Sequence, residues 1–198
     1  MKRALSIIAG VLFALSAYAD GGSSLLAGMS GKLRAMGEYE VEFSVKAGAA
    51  FKIDGSYVVS GREYYLTLGD AEVFCDGTTR YEVNHSLEEI TVDNINMSER
   101  NILNNPVGGL EFLDEEFASA VVSQSGSETV VRLTPRNDAD GSVIDVTVSR
   151  TSQLPTRLVY RLNGDAITVD LNSIKAVSSS LRRFDPKAYG DYEIIDFR

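Results

Sequence analysis

The 198-residue sequence has no tryptophan, one histidine (His85), one cysteine (Cys75) and four prolines. A lone cysteine leaves no internal disulfide framework. One cysteine with one histidine cannot supply the clustered ligands of a structural zinc site. Serine and cysteine hydrolases need a base beside the nucleophile, and the only histidine lies in Val83-Asn84-His85-Ser86, which reads as a turn after a strand. Basic residues are scarce: 19 Lys and Arg face 28 Asp and Glu, a net charge of −9, the reverse of a nucleic-acid-binding footprint. No segment has the spacing of a calcium loop, and Gly108-Gly109 lacks the Gly-Lys-Ser/Thr context of a phosphate loop. The densest acidic run, Asp114-Glu115-Glu116, is consecutive, so it reads as a solvated face instead of the opposed carboxylates of a glycosidase. The chain therefore reads as a non-enzyme, with no catalytic group, no metal and no cofactor.

The one long apolar run lies at the start. In MKRALSIIAGVLFALSAYA, Lys2 and Arg3 precede an apolar stretch from Ala4 to Ser16, and Ala17-Tyr18-Ala19 has the small-x-small form of a signal-peptidase site. The run is short for a hydrocarbon core of about 30 Å. Residues 1–19 are thus expected to be a signal peptide cleaved after Ala19, and residues 20–198 a single exported domain. Loss of Lys2 and Arg3 takes the charge to −11. Cys75 would then be an unpaired thiol in an oxidising compartment, a situation that favours burial.

Beyond the leader, Leu25, Leu26, Met29, Leu33 and Met36 fall at helical spacings, with Ser24 as a start and Gly37 as a stop. Period-two alternation follows. Tyr39, Val41, Phe43 and Val45 alternate with Glu38, Glu40, Glu42, Ser44 and Lys46, one face for the core and one for water. The pattern returns at Phe51–Val59, Tyr64–Leu68, Val73–Cys75, Tyr81–Val83 and Ile90–Val92, then at Val131–Leu133, Ile144–Val148, Leu158–Tyr160 and Ile167–Leu171. Asp76-Gly77, Asp140-Gly141 and Asn163-Gly164 mark hairpins. With a last edge strand near Tyr192–Phe197 this makes about ten or eleven short strands, mainly β and antiparallel because no βαβ alternation occurs.

Residues 98–116 interrupt the pattern. Ser98 to Leu103 read as a turn or two of helix, Pro106 and Gly108-Gly109 break it, and Leu110, Phe112 and Leu113 form an apolar cluster. By periodicity the segment is either a cover over a curved sheet or an ordinary connection. A curled one-sided sheet with many tyrosines and phenylalanines either fills its interior with side chains or holds an apolar ligand.

Several segments resemble the LolA family of periplasmic lipoprotein carriers. These are Ala71–Tyr81 with its Asp76-Gly77 turn, the Ile90-Thr91-Val92 strand, Asn105-Pro106-Val107, Val131-Arg132-Leu133-Thr134-Pro135, and Phe184-Asp185-Pro186 followed by Asp191–Asp196. Their order is collinear over residues 24–196. The resemblance implies an unclosed, half-open antiparallel β-barrel of about eleven strands with a helical lid. It further implies a periplasmic, monomeric carrier that takes acylated lipoproteins from an inner-membrane ABC transporter to an outer-membrane acceptor. On this reading Phe43, Tyr57, Tyr64, Leu66, Val73 and Tyr81 line the acyl cavity, and Leu103, Val107, Leu110, Phe112 and Leu113 belong to the lid. Family members also use an arginine, usually before a proline, to hydrogen-bond lid carbonyls and keep the empty carrier closed. Arg62 occupies the corresponding strand pair here, followed by Glu63. A second reading on the same fold is a lipid or lipoprotein sensor that moves no cargo.

Overall fold

The computed structural model describes residues 21–96, 99–108, 110, 116–137, 141–162, 164–178 and 181–198. The proposed signal peptide, Phe112, Leu113 and the acidic run's Asp114 and Glu115 lie outside them, as do Asp140 and Asn163 of the two later turns. Helix α1 spans 21–35, beginning slightly before the expected start. It turns its Leu26, Met29 and Leu33 face fully inward and ends at Gly37, whose φ of 72° suits a residue without Cβ. No helix among the described residues is long and apolar enough to cross a membrane.

Twelve strands follow among the described residues: β1 Glu38–Ala47, β2 Phe51–Ser60, β3 Glu63–Leu68, β4 Ala71–Cys75, β5 Thr79–Asn84, β6 Glu89–Asn94, β7 Phe117–Gln124, β8 Glu128–Pro135, β9 Val143–Ser149, β10 Pro155–Leu162, β11 Asp165–Ala176 and β12 Glu193–Asp196. They form one sheet in the order β12-β6-β5-β4-β3-β2-β1-β11-β10-β9-β8-β7. All adjacent pairs are antiparallel except β12–β6. The chain leaves β11 and crosses the outside of β4–β6 through a short 3-10 turn at Pro186–Tyr189, which delivers β12 alongside β6 in the same direction. Strand β7, absent from the expected set, is FASAVVSQ. It lies at the sheet edge with little alternation in burial, so period two gives no signal there.

The sheet curls around α1. In β1 the odd-numbered Tyr39, Val41, Phe43 and Val45 are at most 7% exposed and face α1. Phe43 lies across Gly55 on β2, where a Cβ would stand 2.7 Å from the ring, so only glycine fits. Opposite these, from β8 to β11, Val131, Leu133, Val146, Leu158 and Val169 complete the same core. Burying each such side chain is worth about 1.5–3 kcal/mol. On the outer face, Arg132 and Arg161 converge on Asp145, while Lys46 and Arg157 converge on Asp170.

At β4 the apolar side of the sheet changes over. Val73 and Cys75 still face α1, but the cross-strand register Cys75↔Arg80, Val73↔Glu82 and Phe74↔Tyr81 puts Arg80 and Glu82 inside and Tyr81 outside. A second, external core forms from Phe74, Val83, Ile90, Val92 and Tyr189, with Tyr65, Tyr81, Phe184 and Tyr192 packed against it. The segment from Leu181 onward covers this outer face.

Candidate ligand-binding site

The concave face brings five of the six predicted cavity residues together. Tyr57, Leu66 and Val73 share one rung of the sheet, Tyr64 lies on the next, and Phe43 follows on the other side. All five are at most 4% exposed. The Phe43 and Tyr57 rings stand 5.8 Å apart. Tyr81 does not join them. It stacks on Phe184 at 4.2 Å on the convex side, because the change of face at β4 reverses the parity of β5. Cys75 is buried on the concave face, as expected of a core thiol. Burial pushes its ionisation up, partly countered by the Gly77 amide that donates to Sγ at 3.3 Å, so it is a poor nucleophile.

The described residues of the predicted lid segment lie against the core that faces α1. They form a pair of turns, not a helix. Local side chains capture backbone donors that a helix would need: the Asn101 amide donates to Glu99, and Leu103 N donates to Asn101 Oδ1 at 3.0 Å. Asn105 is completely buried, donating to the carbonyls of Asn96 and Glu99 and accepting from Gly108 N. From this scaffold Ile102 and Leu110 plunge into the α1-facing core, with Leu103 and Val107 packed beside them.

Hydroxyl groups tie the segment to the barrel. Tyr64 Oη donates to the Asn104 carbonyl at 3.1 Å, and Ser30 Oγ of α1 donates to the Leu110 carbonyl at 3.1 Å. Tyr160 Oη accepts from Ile102 N at 3.1 Å and donates to the Arg100 carbonyl at 3.3 Å. Burial raises the ionisation of both tyrosines, so each remains a neutral hydroxyl able to donate. No hydrogen bond joins Arg62 to the loop among the described residues. It sits exposed in the β2–β3 turn, with its Cβ and carbonyl against Gly77. Sequence reading singled out Tyr64 only as a wall residue and missed Tyr160, Ser30 and Asn105. The tyrosine at the end of β10 is the one sequence signal that could have drawn attention to it.

A cleft of about 400 Å³ opens where α1 ends against β1, β2 and the loop. Leu33, Tyr39, Val59, Val107 and Leu110 give it an apolar floor; Ser30, Arg34, Glu38 and Ser60 form its polar rim. A second cleft, of about 200 Å³, lies at the loop's other flank between Arg100, Asn101, Phe117, Ile144, Tyr160 and Ile167. The loop thus stands between two openings above one apolar interior.

A separate polar cluster holds the C-terminal segment to the convex side. The Glu72 carboxylate accepts from Tyr65 Oη, from Tyr189 Oη at 2.8 Å and from the Arg182 guanidinium, and its Oε2 lies 3.1 Å from His85 Nε2. His85 Nδ1 lies 2.9 Å from Tyr192 Oη. The histidine is in a turn, as expected, but bridges barrel and tail instead of standing free in solvent. Burial alone would raise the Glu72 ionisation. The hydrogen bonds and the Arg182 charge outweigh it and hold the carboxyl below its ordinary value. Burial and the neighbouring carboxylate push Tyr65 and Tyr189 up to about 12. No group of three or more metal-ligating side chains occurs among the described residues.

No protein-family model and no curated protein matches this sequence. Among solved structures, an uncharacterized conserved protein from Thermus thermophilus superposes with a TM-score of 0.51 at 7% identity, covering 87% of this chain and 97% of that one. This likeness concerns the fold alone. LprF from Mycobacterium bovis (TM-score 0.45, 10% identity, 81% and 95% covered) and a LolA superfamily protein from Nitrosomonas europaea (0.41, 11%, 85% and 96%) also match, too loosely to bear on function. Among the described residues the fold is an unclosed twelve-stranded sheet curled around one helix.

Proposed function

We propose that this protein binds the acyl chains of a lipid or lipoprotein on its concave face, beneath the 99–110 loop, and carries that cargo across the periplasm from inner to outer membrane. The observation behind this reading is the loop itself. Its Ile102 and Leu110 fill an apolar interior, and tyrosine and serine hydroxyls fasten it to the barrel and α1. Each such bond contributes about 0.5–1.5 kcal/mol net. An entering acyl chain gains about 0.8 kcal/mol per buried methylene, so about ten methylenes outweigh the loop's fastenings. Phe43, Tyr57, Tyr64, Leu66 and Val73 would contact the chain once Ile102 and Leu110 withdraw. The protein binds and releases without turning its ligand over. An inner-membrane ABC transporter would load it and an outer-membrane acceptor would unload it. Residues 1–19 would direct export and be cleaved off after Ala19.

Native mass spectrometry of the mature protein from cells making a triacylated lipoprotein tests this reading, with the unacylated form of the same cargo as control. A complex with the acylated cargo alone is the expected result. An empty protein with both cargoes overturns the carrier assignment.

A further inference from the structure

Tyr57 carries an anomaly that the acyl-binding reading does not by itself explain. Its side chain is completely buried, and its hydroxyl has no hydrogen-bond partner among the described residues. An unpaired buried hydroxyl is costly, and an alkyl chain laid against it would leave it just as unpaired. Of the hydroxyls bordering this region, Tyr64 and Tyr160 hold the loop, Ser30 holds Leu110 and Ser60 donates to Glu38.

Tyr57 lies one concave-facing rung in from the floor of the 400 Å³ cleft. Tyr39 and Val59, paired across β1 and β2, form the cleft floor, and Val41–Tyr57 is the next concave-facing rung. Two residues along a strand span about 6.6 Å. A molecule entering from the rim therefore meets three zones in order. First come polar groups (Ser30, Glu38, Ser60), then a collar of Tyr39 and Val59, then the Tyr57 hydroxyl at the edge of an apolar zone built from Phe43 and Leu66. An acyl ester has the same order: headgroup, carbonyl, hydrocarbon.

We infer that the Tyr57 hydroxyl donates a hydrogen bond to the ester carbonyl of a bound acyl ligand, so that the site selects esterified acyl chains over hydrocarbon of equal length. This rests on the acyl-binding reading and names its ligand class. Burial keeps the phenol neutral, its ionisation pushed well up, so it is a donor at every physiological pH.

The test compares 1-monopalmitoylglycerol with 1-O-hexadecylglycerol, which keeps the headgroup and chain but lacks the carbonyl. Calorimetric titration of the mature protein should give about 5–10-fold tighter binding of the ester. Tyr57→Phe should bring the two within about twofold by weakening the ester alone. The free Tyr57→Phe protein should also melt roughly 2–4 °C higher, since it loses an unpaired buried hydroxyl. Equal binding of both lipids by the wild type, or a preference that survives Tyr57→Phe, overturns the inference while leaving acyl binding intact. A lower melting temperature for Tyr57→Phe overturns its premise, because the hydroxyl is then already paired. Failure of both lipids to bind overturns the acyl-binding reading itself.

Discussion

Tyr64 and Leu66 leave β3 on the same face two residues apart, yet they do different things. Leu66 is plain apolar wall, 1% exposed. Leu66→Glu would set a carboxylate among Val73, Tyr57 and Phe43 with no partner, and a loss of about 3 kcal/mol or more in urea unfolding is expected. Tyr64 adds a hydroxyl that reaches the loop. Tyr64→Phe keeps the ring and loses that bond together with the hydroxyl's interaction with Arg80. It should cost about 1 kcal/mol at most and raise hydrogen exchange at the Asn104 and Asn105 amides several-fold, with the β8–β9 amides unchanged. The alternation of Tyr64, Leu66 and Val73 made their common face legible from sequence. Tyr81 shows the limit of that signal. Period two separates a strand's faces but does not say which one turns inward, and β5 turns its apolar face outward.

The elements were readable in proportion to how one-sided they are. Strands β1 and β2, the tight turn at Asp76-Gly77 and the α1 stripe each announce themselves. In that turn Asp76 Oδ1 accepts from Thr78 N and Thr79 N, and Gly77 sits at φ 91°. Strand β7 is an edge without alternation, and the 99–110 loop is organised by asparagines whose partners are backbone atoms nearby in the chain. Periodicity could not choose between cover and connection for that loop; in the fold its Ile102 and Leu110 pack into the core. Asn105 is its keystone. Asn105→Ala leaves the carbonyls of Asn96 and Glu99 and the Gly108 amide without that side chain, and it should lower stability by about 1–3 kcal/mol. If the loop gates the interior, the same variant should take up a fluorescent fatty acid faster than wild type in stopped-flow mixing. An unchanged rate would remove the loop from the entry route.

At the level of the whole molecule, one sheet serves two cores, and the tail covering the second is fastened through Glu72. Its folded-state ionisation lies below the ordinary 4.5, so the carboxylate's contribution is complete above that pH and disappears as the pH falls through the lowered value. Acidification below pH 4.5 should therefore free the segment from Leu181 onward before the main barrel melts, seen as faster exchange of the Glu193–Asp196 amides. Glu72→Gln should give that faster exchange already at neutral pH and remove the acid dependence. The two end strands, β7 and β12, have a different consequence. They are not neighbours in the strand order, so the curl is a hoop with a gap, whereas a sealed ring must break a ladder of backbone hydrogen bonds to widen. A gapped hoop changes its girth by relaxing curvature, with every strand pair intact. The size of guest it admits is then set by how far α1 and the loop yield, and one such scaffold can hold guests of unequal bulk without any change in its strand pairing.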